Sequence, residues 1–129
     1  MSSRWFWIAA ALVTAAALFW AGTSDAVYDI TSPPRLSLHV LFRKAYSIVA
    51  FALVGFTAER AFGSMTRGAN LLRATLLVAV YSGAIEVVQA LRGSHEGAAW
   101  NAVDIVCGGI GGWLGARSDE FIRRSRRKT

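Results

Sequence analysis

The sequence predicts an all-α fold, a transmembrane bundle of four helices with both termini in the cytoplasm. Three observations lead there. The 129 residues are 54% hydrophobic and 17% charged, with a mean hydropathy of +0.40, and the apolar residues are gathered into four long blocks rather than short periodic segments. Open strands cannot cross lipid, so such blocks are helices of the roughly 20 residues that span the hydrocarbon. Five basic residues fall in the closing "RRSRRKT", directly after an apolar block, as in a cytoplasmic tail beside anionic lipid.

The first helix is expected at about 5–22, "WFWIAAALVTAAALFWAG", bracketed by Trp5, Trp7 and Trp20 as interface anchors. Its apolar core is too long for a signal-peptide h-region, and "WAGTSDA" offers no A-x-A cleavage site, so a retained helix is expected. In the connection 23–44, Pro33-Pro34 rules out a continuous helix, and "RLSLHVLF" reads as a short interfacial piece leading onward. The second helix is expected at about 45–62, and "GSMTRGA" (63–69) reads as a tight turn. The third is expected at 70–91, followed by the Gly-rich loop "RGSHEGAA" (92–99). The fourth, 100–116, leads into a basic cytoplasmic tail, 117–129. The whole chain, 1–129, reads as one membrane domain.

Net charge is +6, with a pI near 10.5. In a soluble chain this would suggest nucleic acid, but its distribution excludes that reading. With both termini inside, the cytoplasmic side holds ten of the 14 Lys and Arg residues, as the positive-inside rule requires. A multi-pass membrane protein is expected, with membrane lipids as its partners.

Within this topology the polar residues converge. Glu86 lies six residues before Arg92, about 9 Å below the outer end of the third helix. Asp104 lies about 6 Å below the same surface in the fourth, and Arg43 and Lys44 open the second. Gln89 shares the Glu86 face at i+3, and Ser82 joins it at i−4. A lone carboxylate at that depth costs at least about 2–3 kcal/mol, so Glu86 and Asp104 are expected close together with Arg43, Lys44 or Arg92 in reach. Arg43, Lys44, Glu86, Gln89, Arg92 and Asp104 therefore form the candidate ligand-binding cluster. An ion-pair network that only locks the helices is the alternative.

In the fourth helix, Asp104, Gly108, Gly111 and Gly115 form one stripe, with Gly112 beside it. Small residues let a neighbouring helix approach closely. Packing within the chain is expected, with homo-oligomerisation through the stripe as the alternative. No catalytic residue, metal site or cofactor is expected: no P-loop, GxSxG, HExxH or CxxC occurs, and Ser47 and Ser82 lack a His partner in the membrane. Cys107 reads as an apolar filler, His39 as an interface residue, and Glu59-Arg60 as a local ion pair; His95 and Glu96 do not make a metal site.

These motifs resemble the VanZ-like family of small bacterial membrane proteins. "RKAYSIVAFALVG" is similar to the family's R-K-x-x-H-x-x-x-Y-x-x-L-G at Arg43, Lys44 and Gly55, with Ser47 and Phe51 in place of the His and Tyr. The later E-x-x-Q, R and D-x-x-x-N-x-x-G-x-x-x-G pattern is matched by Glu86, Gln89, Arg92, Asp104, Gly111 and Gly115, with Gly108 for the Asn. The resemblance covers about residues 36–116 and implies a small polytopic protein of a family named for a member linked to teicoplanin (glycopeptide) resistance.

Three functions follow as expectations. The cluster binds a cell-envelope lipid or lipid-linked headgroup, its cations holding anionic groups by charge-assisted hydrogen bonds. Alternatively, the protein is a structural or accessory membrane subunit with no ligand. The least favoured is a lipid-headgroup enzyme with Glu86 or Asp104 as general base.

Overall fold

The computed structural model describes residues 2–31, 38–62, 67–93 and 98–127. Among these the protein is all-helical: α1 (Ser2–Thr23), α2 (Asp25–Thr31), α3 (His39–Phe62), α4 (Arg67–Leu91) and α5 (Ala98–Arg126). The four expected helices correspond to α1, α3, α4 and α5. Pro33-Pro34, His95 and Glu96 lie outside the described residues, as does the His39 side chain.

Three of the expected boundaries move. The connection after α1 contains an unforeseen two-turn helix, α2, whose first residue Asp25 favours the positive end of the helix dipole. α3 starts at His39 rather than 45, so Arg43 and Lys44 sit a turn inside the helix and not at its mouth. α5 runs through the expected tail to Arg126. No Gly or Pro follows Gly115 to stop it. The i,i+4 pairs Asp119–Arg123 and Glu120–Arg124 support the added turns, as do the cations of its last turn.

Among the described residues, α1 (Ser3–Thr23), α3 (Leu41–Phe62) and α4 (Gly68–Leu91) are long and apolar enough to cross a membrane. The distribution of side chains agrees. Large apolar groups such as Leu12, Val49, Val80 and Val106 point outward, while Lys44, Glu59, Ser82, Glu86, Asp104 and Asp119 are buried. Water would reverse that arrangement, and hydrocarbon tolerates it.

α5 packs most extensively on α3, then on α4, and α1 lies against α3 and α4. The glycines explain the first contact. A Cβ on Gly111 would lie 2.6 Å from the Ile48 carbonyl, and one on Gly55 would overlap the Gly112 carbonyl oxygen and lie 2.7 Å from the Gly112 Cα. Gly108 and Gly112 face α4 instead, where Ser82 and Val78 fill the space a side chain would take. Gly108, Gly111 and Gly112 of the stripe thus meet neighbours within the chain. The small apolar core of Phe51, Val54, Val78 and Ile85 sits between these contacts, with Leu18 and Tyr81 packed on it.

Candidate functional site

Asp104 is the centre of the polar cluster. Lys44 of α3 donates from Nζ to its Oδ1, and each side chain is only 11% exposed. The Lys44 ammonium also lies 5.6 Å from the Trp100 ring centroid, one turn before Asp104. From α4, Ser82 donates to the Asp104 carbonyl at 3.0 Å. Gly108 makes room for this bond, since a Cβ there would lie 2.6 Å from Ser82 Oγ. Asp104 therefore ties three helices: its side chain to α3, its carbonyl to α4, and its own backbone to α5.

Glu86 lies one turn beyond Ser82, is buried, and is engaged within the chain. Arg43 is half-buried and likewise engaged. Gln89 and Arg92 point elsewhere. Gln89 Nε2 donates to the Gly22 carbonyl, and Arg92 Nη1 donates to the Thr23 carbonyl at 2.7 Å. These carbonyls belong to the last turn of α1, whose acceptors have no partner inside their own helix. Two residues grouped with the headgroup cradle in the sequence thus cap α1, and Arg92 also sets a cation at the negative end of its dipole. Tyr81 adds a third bond to α1, at the Ala15 carbonyl.

We expect Gln89→Leu to cost about 1–2 kcal/mol, because it removes a donor from a partly buried carbonyl. Arg92→Ala should cost less, since Arg92 is exposed and water can replace it. Thermal denaturation in detergent checks both, and a neutral Gln89→Leu would show that the cap contributes nothing.

The opposite end holds a second node that sequence reasoning missed. Asp119 is fully buried; Arg60 Nε donates to its Oδ1 at 2.5 Å, and Arg123 Nε lies 2.6 Å from its Oδ2. The Arg60 guanidinium also stacks 4.4 Å from the Trp7 ring and 4.8 Å from Phe56. Arg60 thus reaches across to α5, and the expected local pair with Glu59 is replaced by this bond. A signal existed: one further step of four along the stripe Asp104, Gly108, Gly111, Gly115 lands on Asp119.

α5 therefore carries a glycine groove with an aspartate at each end, and α3 lies in it with a cation at each end. Lys44 meets Asp104 and Arg60 meets Asp119, so α3 and α5 run parallel. The two aspartates are 15 residues apart, about 22 Å along the helix. Chemically, the arrangement fixes axial register and rotation. Among the described residues no group of three metal-ligating side chains occurs. Comparison with protein-family models, curated proteins and solved structures finds no match.

Proposed function

We propose that this is a VanZ-like integral protein of the bacterial cytoplasmic membrane, with four spanning helices and both termini in the cytoplasm. In this reading it acts as a structural or accessory subunit and not as an enzyme. One observation carries the choice: the polar side chains read as a headgroup cradle have partners inside the chain, above all the buried Lys44–Asp104 pair. The buried Lys44 ammonium, a point charge already held by Asp104, is not available to an outside anion, and a carboxylate held by that cation is a poor general base. The parallel course of α3 and α5 is the one expected if α3, α4 and α5 each cross once, because consecutive crossings alternate in direction.

Reporters test the topology. A fusion after Thr129 should be active only in the cytoplasm, and one inserted at 94–98 only outside. The reverse pattern would overturn the orientation.

Headgroup binding is the second reading, and one observation favours it: Arg92 is exposed, and among the described residues only its Nη1 is engaged, on Thr23. If its remaining donors hold an envelope-lipid headgroup, lipid identified by mass spectrometry should co-purify with the protein. Arg92→Gln should then lose that lipid while remaining folded, and unchanged lipid content would remove this reading.

A further inference from the structure

The node at Asp119 opens onto a cavity of about 510 Å³, a size typical of ligand pockets. Its walls come from three helices. Ser3, Arg4 and Trp7 belong to the start of α1, Arg60 to the end of α3, and Arg123 and Arg126 to the end of α5. Four arginines from three helices thus converge on one space. The buried acids beside them are Asp119, already shared by Arg60 and Arg123, and Glu59, which lies in the field of Arg123. Half-buried Glu120 nearby is held by Arg117 and Arg124, so among the described residues the four arginines outnumber the acids left to them two to one and the cavity is electropositive.

We propose that this cavity binds the phosphate group of an anionic phospholipid. Guanidinium forks match phosphate oxygens bidentately, and several at one site select a phosphodiester over a zwitterionic headgroup, whose cation they repel. Arg60 keeps Nε on Asp119, which fixes the plane of its fork between the Trp7 and Phe56 rings. A lipid is favoured over a soluble phosphate because the cavity adjoins apolar surface: Trp5 and Phe6, on the same turns of α1, are 67% and 63% exposed. Acyl chains can follow that surface while the phosphate occupies the arginines, as in basic pockets between helices at a cytoplasmic membrane face. Assignment to the inner leaflet rests on the proposed topology. The binding does not, so reversed reporters would move the site to the other leaflet without removing it.

The test uses the purified full-length protein in uncharged detergent, with thermal unfolding followed during titration with phosphatidylglycerol, phosphatidylcholine or inorganic phosphate. Phosphatidylglycerol should raise the Tm saturably, and the other two should not. The variant Arg4→Gln/Arg126→Gln leaves both cations on Asp119. It should need at least about tenfold more phosphatidylglycerol for the same rise, since each charge-assisted bond contributes roughly a factor of ten. Arg4→Gln alone, at an exposed position of α1, should shift the titration in the same direction. An equal response to phosphatidylcholine, or variants that titrate like the wild type, would overturn the proposal. An equal response to inorganic phosphate would overturn the lipid and leave a soluble phosphoanion.

Discussion

Gly115→Ala is expected to be the most damaging single-methyl change in the protein, costing about 3 kcal/mol or more. A Cβ at this position would overlap the Ala52 carbonyl oxygen and lie 2.8 Å from the Phe56 nitrogen. Both are backbone atoms of α3, so no side chain can rotate away and the helices must separate. Overpacking that shifts side chains and backbone costs about 1–3 kcal/mol and occasionally more, and displacing a helix along the most extensive interface lies at or above the top of that range. Gly109→Ala is the control. Its Cβ would meet the nearest atom, Ala79 Cβ, at 3.8 Å, an ordinary contact. That variant should match or slightly exceed the wild type, because Gly is about 0.5–1 kcal/mol worse than Ala inside a helix. Thermal denaturation of both variants in detergent decides the matter. If Gly115→Ala is as stable as Gly109→Ala, α3 does not lie in the glycine groove, and the register defined by the two aspartates fails with it.

Lys44→Met should cost about 3–5 kcal/mol, the range for removing one partner of a buried ion pair. It leaves Asp104 without its cation at an end of the helices where Glu86 is also buried. Asp104→Asn should cost less, because the long Lys44 stem can carry its ammonium toward the membrane surface. The double variant Lys44→Met/Asp104→Leu should recover much of the loss, since an apolar pair of similar volume replaces a buried ion pair at little cost. Comparing the sum of the single effects with the double variant's measures the coupling. Additive losses would show that the two residues do not act as a pair, and the fastening role assigned to this end would be withdrawn.

Several features are legible in the order of residues alone. The four apolar blocks form the cores of α1, α3, α4 and α5, and the fitness of α1, α3 and α4 to cross a membrane is written locally, as a run of apolar residues of sufficient length. The close approach along Gly108, Gly111, Gly112 and Gly115 is also readable, since an i, i+4, i+7 pattern marks one helix face whatever packs on it. The α5 boundary is not. The charged residues after Gly115 look like a tail by composition, but their i,i+3 and i,i+4 pairing continues the helix.

The sequence by itself determined that Asp104 and Glu86 lie near one end of their helices and that a buried carboxylate there needs a partner. It left open whether Arg43, Lys44 or Arg92 supplies it. That choice depends on the rotation and axial offset of one helix against another, which no local period encodes. The tertiary structure set both through backbone contact at Gly55, Gly111 and Gly115, which holds α3 where Lys44 reaches Asp104 and Arg60 reaches Asp119. The same placement of α1 against α4 turned Gln89 and Arg92 from cradle residues into caps on the Gly22 and Thr23 carbonyls. Only packing could decide this, because a donor's partner is the nearest unsatisfied acceptor in space, and here that acceptor lies 67 or 69 residues away in the chain.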